Sequence, residues 1–289
     1  MRLVLIHGRG QGHWTGSGLR KIWEKAFDTG LHNAGLTRPD GLEIAFPFYG
    51  KRLDQLTKSA KDGLVSVIER GGGGGDTAVD EFDIGLLERI AEAAGITRDE
   101  ILAEMEPGVV ERGPQNWELV QALGRLISRR LPWLAKMGIA RFTADVHAYL
   151  THLGIRRKIH EIIQPEIAAA PCVVLAHSLG SIIAYWLLTE MKASAEVRLF
   201  VTVGSPLGID TIRARLPGTN VPTGVAHWLN AVDERDPVAL YSDLNRDTFA
   251  AGIENLTDIH NPQDDPHGIR GYLGDPEIAR RLHEALTSL

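Results

Sequence analysis

Short apolar runs alternate with amphipathic stretches at the two ends of the chain but not in its middle. Residues 3–6 (Leu-Val-Leu-Ile) stop at a turn rich in glycine (Gly8, Gly10 and Gly12), and helical periodicity follows over 19–33. Further short runs cover 42–49, 171–177, 198–206, 225–233 and 253–259. Continuous apolar runs bounded by turn formers are the pattern of strands buried on both faces. A closing helix is predicted over 276–286, with Asp275 as its cap and Pro276 at its first position. Strands alternating with helices predict an α/β class with a doubly wound, mostly parallel sheet. In such a sheet ligands gather at the carboxyl ends of the strands.

Residues 51–166 break that rhythm. Helical patterns cover 53–69, 82–94, 98–104, 117–137, 142–153 and 155–163, with no legible strand among them. The organisation expected is therefore a core made of 1–50 and 171–289, carrying a large helical insertion, 51–166, as a lid or cap. The glycine run from Gly71 to Gly75 predicts a flexible loop. Charge within the insertion is split: residues 76–118 carry 12 acidic and 3 basic side chains, residues 121–160 carry 8 basic and 1 acidic. Two helical faces that pair with each other account for this. The apolar and basic stretch 126–136, which includes Trp133, also suits peripheral contact with an anionic lipid surface. The region 126–137 is expected to line or close a substrate entrance, with Trp133 touching substrate.

Composition narrows the field. A chain of 289 residues, 44% hydrophobic, buries a full core as one large domain or a domain with an insertion. A net charge of −6 leaves no basic field to recruit nucleic acid. The single cysteine, Cys172, excludes an internal disulfide framework and falls in a predicted buried strand, where it packs rather than reacts. The apolar run at the N-terminus is too short for a signal peptide or a membrane span, and a cytoplasmic location is the default expectation.

The candidate chemistry centres on Ala176-His177-Ser178-Leu179-Gly180, between a predicted strand and an apolar helix. The turn matches the nucleophile elbow, small-x-Ser-x-Gly, with Ala176 in place of the first glycine. A serine held in so sharp a turn brings the residues two before and two after it together, so both must be small. Ser178 is thus the candidate nucleophile. The competing reading is a simple helix cap, a role also open to Ser181, although Ser181 lies inside the apolar run.

A serine needs a histidine base, itself held by a carboxylate. Downstream stand His227, His260, His267 and His283. His227 falls in a predicted strand and His283 on the last helix. The base must reach the serine from a loop, which favours His267 and leaves His260 as the alternative. The acid is expected after the fifth strand, where Asp233, Glu234 and Asp236 stand. Asp236 precedes a proline, which keeps it extended and out of a helix; it is favoured, with Asp233 second. His177 reads as a packing and orienting residue. His7 and His13 lack metal-ligand spacing, so neither a metal nor another cofactor is expected.

These pieces carry a likeness. The chain resembles serine hydrolases of the α/β-hydrolase superfamily, nearest to the lipase and esterase branches, through Ile6-His7-Gly8, Ala176-His177-Ser178-Leu179-Gly180, and Trp228-Leu-Asn-Ala-Val-Asp-Glu-Arg-Asp-Pro-Val238 before a late His267-Gly-Ile-Arg-Gly-Tyr272. The likeness covers roughly 1–50 and 171–289. It implies an oxyanion hole from the amides of Leu179 and Arg9, with the bulky charged Arg9 departing from the small or apolar residue common there. It also implies cleavage of carboxylic, including lipid, esters through an acyl-enzyme. Thioester or amide cleavage is the near alternative. A partner-activated hydrolase and a non-catalytic binding or signalling module on the same fold complete the set.

Overall fold

A computed structural model describes residues 1–9, 11–58, 64, 80–105, 117–132, 138–239 and 243–288. The first apolar run forms β1 (Arg2–Ile6), fully buried after Arg2. Thr15 caps α1 (Gly16–Asn33) by accepting a hydrogen bond from the Gly18 amide, and Leu19, Trp23, Ala26, Phe27 and Leu31 recur at helical spacing to form its buried face. The chain returns as β2 (Glu43–Ala45). This strand is shorter than the apolar run because Pro47 has no N–H for a ladder, and Tyr49 turns onto His7 instead.

Four more strands follow: β3 (Cys172–His177), β4 (Val197–Val203), β5 (Val225–Ala231) and β6 (Ile253–Leu256). All six run parallel in the order β2-β1-β3-β4-β5-β6. The chain lays β2 on one flank of β1 and β3 on the other. Connections therefore diverge between β1 and β3, and the carboxyl ends of these two strands bound the crevice where such sheets bind ligands.

Both faces of the sheet are covered, which is why the strands read as unbroken apolar runs. On one face Leu5, Leu175, Val201 and Leu229 join Trp23 and Phe27 of α1. The same cluster takes Leu273 from α10 (Ile269–Gly274) and Ile278 and Leu282 from α11 (Pro276–Thr287). Asp275 caps α11 through the amides of Glu277 and Ile278. On the other face lies α8 (Leu179–Met191), whose Tyr185 stacks on Trp228 with 5.6 Å between ring centroids. A short turn of helix, α9 (Asp210–Arg213), follows β4. Buried polar groups also link the last three strands. Trp228 Nε1 donates to Thr202 Oγ1 at 3.0 Å, Thr202 Oγ1 to Asn230 Oδ1 at 3.0 Å, and Asn230 Nδ2 to Asn255 Oδ1 at 3.1 Å. A one-residue slip would orphan these groups, so they hold the register and fix where the loop after β5 departs. Cys172, in β3, is buried, and burial pushes its thiol up to about 11.

The chain divides into two units: Met1–Arg52 with Arg156–Leu289, and Leu53–Ile155. The second is helical among its described residues. It contains the end of α2 (Gly50–Leu56), then α3 (Glu81–Ala93), α4 (Arg98–Glu104), α5 (Trp117–Arg130), α6 (Ile139–Thr151) and the start of α7 (Leu153–Ala168). Residues 156–166, which the helical pattern assigns to the insertion, group with the α/β unit, where Ile159 and Ile163 are buried. α5 ends at Arg130 rather than 137 because Pro132 disfavours helical backbone at the residue before it. Arg125 donates to Glu104 at 2.8 Å, Arg129 also pairs with Glu104, and Arg130 donates to Glu100 at 2.7 Å. The acidic and basic stretches thus meet helix to helix. The glycine run 71–75 and Trp133 lie outside the described residues. Among those described, no helix is long and apolar enough to cross a membrane.

Candidate active site

Ser178 sits between β3 and α8 with φ 57° and ψ −130°. Left-handed backbone at a non-glycine residue costs on the order of 1–3 kcal/mol and persists only where its surroundings enforce it. They do so tightly. A methyl group on Gly180 would stand 2.6 Å from the carbonyl oxygens of both Ile6 and His7, and one on Gly8 would stand 2.9 Å from Ser178 Cβ. The end of β1 is therefore pressed against the elbow, and only glycine fits at either contact. Ser181 Oγ donates to the Ala176 carbonyl at 3.3 Å, tying α8 back to its strand. The Ser178 hydroxyl, on a residue 2% exposed, makes no hydrogen bond to any described group.

The loop after β1 is braced through His7. Its Nε2 accepts the Tyr49 amide at 3.2 Å, so the ring proton is on Nδ1, which donates to the Gly8 carbonyl at 2.6 Å. Tyr49 stacks on the ring at 4.0 Å and its hydroxyl donates to the His7 carbonyl. Arg9, buried, follows Gly8 directly, and Leu179 opens α8, where its amide has no acceptor within the helix. The two amides implied as oxyanion donors thus belong to residues adjoining the Gly8–Ser178 contact.

Asp236 and His267 come together. His267 Nδ1 donates to Asp236 Oδ2 at 2.7 Å, and the two residues are 4% and 2% exposed. In the neutral ring this bond leaves Nε2 as the unprotonated nitrogen. Asp236 accepts two further hydrogen bonds, from Tyr272 Oη at 2.9 Å and from the Val238 amide at 3.0 Å. Gly204, at the end of β4 with φ 55°, floors the pair: a methyl there would stand 2.9 Å from Asp236 Oδ2 and 3.1 Å from His267 Nδ1.

Asp233 is used differently. Its carboxylate accepts Arg235 Nε at 2.9 Å, Arg235 Nη2 at 2.6 Å and the Asn261 amide at 2.7 Å. Burial works to raise its pKa, but the guanidinium and the amides of Arg235 and Asn261 outweigh burial and hold it below the ordinary value. Arg235 Nη2 also donates to the Asn261 carbonyl at 2.7 Å, and Asn261 Nδ2 to the Pro266 carbonyl at 2.7 Å. The clamp joins the loop after β5 to the loop carrying His267. His260 is exposed, with Nδ1 3.3 Å from the Asp258 carbonyl oxygen.

His177 is buried. Burial, reinforced by the adjacent His267, drives its pKa well below the ordinary histidine value. Neutral, it donates from Nε2 to the His267 carbonyl at 2.8 Å. Tyr272, Asn261 and Gly204 were not legible as site residues. The one available signal was an aromatic in the glycine-rich stretch five residues after His267. Among the described residues, no group of three or more His, Cys, Asp or Glu side chains is disposed to hold a metal ion.

The arrangement can support nucleophilic chemistry, with a serine raised on a strained elbow, a histidine oriented by a buried carboxylate, and amides close by. The sheet is open, all-parallel and covered by helices, which is compatible with an α/β-hydrolase fold. Comparisons with protein-family profiles, curated protein sequences and solved structures found no match.

Proposed function

We propose that the protein is a serine hydrolase of α/β-hydrolase type that cleaves carboxylic esters, including lipid esters, through an acyl-enzyme. The observation that carries this reading is the buried His267–Asp236 hydrogen bond, in a unit that also strains Ser178 into left-handed backbone at a strand end. In the proposed reaction Ser178 Oγ attacks the ester carbonyl carbon while His267 Nε2 takes its proton. Asp236 holds Nδ1–H and stabilises the imidazolium. The tetrahedral oxyanion is met by the amides of Leu179 and Arg9, each donor of this kind being worth about 3 kcal/mol. His267 then protonates the departing alkoxide. Water, deprotonated by His267, attacks the acyl carbon, and His267 returns that proton to Ser178 Oγ as the acid departs. Ser178 Oγ and His267 Nε2 make no hydrogen bond to each other here; hydrogen bonds between catalytic groups commonly tighten only when substrate binds.

Labelling with a fluorophosphonate, together with turnover of an ester panel of graded chain length, tests the reading. Wild type should label and turn over. Ser178→Ala should lose both, by on the order of 10⁶-fold in turnover, with its thermal midpoint nearly unchanged. Full labelling of that variant would move the nucleophile elsewhere.

The helical unit is proposed as the lid. Support comes from its point of insertion, since the chain leaves the α/β unit at Arg52, just past the carboxyl end of β2 and the Tyr49 that braces His7. Trp133→Ala should then change the preference between long and short acyl chains more than it changes turnover of an acetate ester. Equal effects would leave the unit a scaffold. The burial of Ser178 also favours a second reading, a hydrolase opened by a partner or an anionic lipid surface meeting residues 126–136. Labelling that is slow alone and quickened by anionic vesicles would select it.

A further inference from the structure

The hydroxyl of Tyr272 has two partners, both on the loop after β5. It donates to Asp236 Oδ2 at 2.9 Å and accepts the Asp233 amide at 3.2 Å. The oxygen it donates to is the one that takes His267 Nδ1–H at 2.7 Å. From this shared oxygen we infer that Tyr272 is a positioning residue of the site, fixing the Asp236 carboxylate and damping its pull on the His267 proton. The inference rests on reading Ser178, His267 and Asp236 as the reacting set.

A second donor on a carboxylate oxygen stabilises the ionised form and makes that oxygen a weaker base toward its other partner. A phenol serves only while it keeps its proton. Burial first, then the charge of Asp236, push the Tyr272 pKa well above the ordinary tyrosine value, so the donor persists through the working range. The ring cannot swing away, because Tyr272 is fully buried in α10 and its ring edge lies against Gly204.

Few other charges face the pair. His177 faces His267 and is held neutral by burial. Asp233 faces Tyr272, but Arg235 answers its charge. Asp265 faces His267 and Asp236, and burial raises its pKa. A change at Tyr272 alone should therefore register in the Asp236–His267 bond.

The experiment uses the full chain in two variants of opposite sign. Tyr272→Phe should lower kcat on a short ester about 10-fold with KM nearly constant. It should also move the acidic limb of the kcat/KM profile up by about one pH unit, because an undamped carboxylate makes His267 more basic. Site-specific 3-fluorotyrosine at 272, a stronger donor of nearly the same shape, should move the limb down. The downfield proton resonance of His267 Nδ1–H reads the same bond without turnover, and should move further downfield in Tyr272→Phe and upfield with fluorotyrosine. If Tyr272→Phe does not fold, the direction given by fluorotyrosine decides. A limb and a resonance that stay put, or move in the same direction in both variants, overturn the inference. Failure of the hydrolase reading looks different: wild type would show neither labelling nor turnover, while the resonance still responded to both changes.

Discussion

In the helical unit, charge and apolar bulk are kept apart. Leu86, Leu87, Ile90, Val120, Leu123 and Ile127 are buried, while Glu100, Arg125, Arg129 and Arg130 form their ion pairs on the exposed side. Most of its buried polar groups are answered within it: Thr57 Oγ1 donates to Asp145 Oδ1 at 2.7 Å and Asp83 meets His147 at 3.1 Å, while the buried Thr143 hydroxyl makes no hydrogen bond to any described group. In the α/β unit, His7, His177, Asp233, Asp236 and His267 are all buried, at the carboxyl ends of strands or in the loops that follow them. Removing an ionisable group from water costs several kcal/mol unless it is well paired. Five such groups gather at one edge, a concentration that supports the active site proposed there. Stability dominates one unit and arrangement the other.

Paired substitutions can break that contrast. The sharpest pair lies within the α/β unit. Asp236→Asn should cut turnover about 10⁴-fold, as loss of the orienting carboxylate does in related triads. Asp233→Asn should reduce turnover less than tenfold but lower the unfolding free energy by about 1–2 kcal/mol, since it weakens the clamp to Asn261. Kinetics and urea midpoints read both; a reversed outcome would exchange the roles of the two carboxylates.

Next in size is Leu86→Ala, at a fully buried position of α3. It should cost about 2–5 kcal/mol in urea unfolding while the folded protein labels with fluorophosphonate at the wild-type rate. Lost labelling in folded Leu86→Ala would tie the helical core to the chemistry.

The smallest effect concerns pH. Burial holds the folded pKa of His177 well below 6.5. Above 6.5 neither the folded nor the unfolded chain carries a proton at this site. As pH falls through 6.5 the unfolded chain takes up a proton that the fold refuses. Stability therefore drops, by at most about 1.4 kcal/mol per pH unit, until the lowered folded value is reached. His160, in α7, is also lowered by burial and adds in the same direction. His177→Gln should flatten the dependence of the urea midpoint between pH 7 and 5. An unchanged slope would place the acid sensitivity elsewhere.

The strands were legible because burial on both sides leaves little but apolar residues, as in Cys172–His177. Their ends were less so: β2 is only three residues long, Glu43–Ala45, since Pro47 ends the ladder. Ser178, Asp236 and His267 could be singled out because each stands beside a turn signal in the sequence: Gly180, Pro237 and Gly268. Tyr272 and Asn261 could not, because each is tied to the loop after β5, to Asp236 and Asp233 respectively, and their roles follow from how the loops pack. α10 was also missed, being a single short turn with glycine at two of its positions.

Cys172 has a practical consequence. With its thiol pushed up to about 11, only on the order of one molecule in 10⁴ carries a thiolate there at pH 7, and the side chain is buried as well. The native protein is therefore close to silent toward maleimides. A reporter can be attached at one engineered surface cysteine, such as Leu102→Cys in the helical unit, without first removing the natural thiol. Fluorescence or spin-label distances between two such positions, one in each unit, would follow any movement between them as substrate is added.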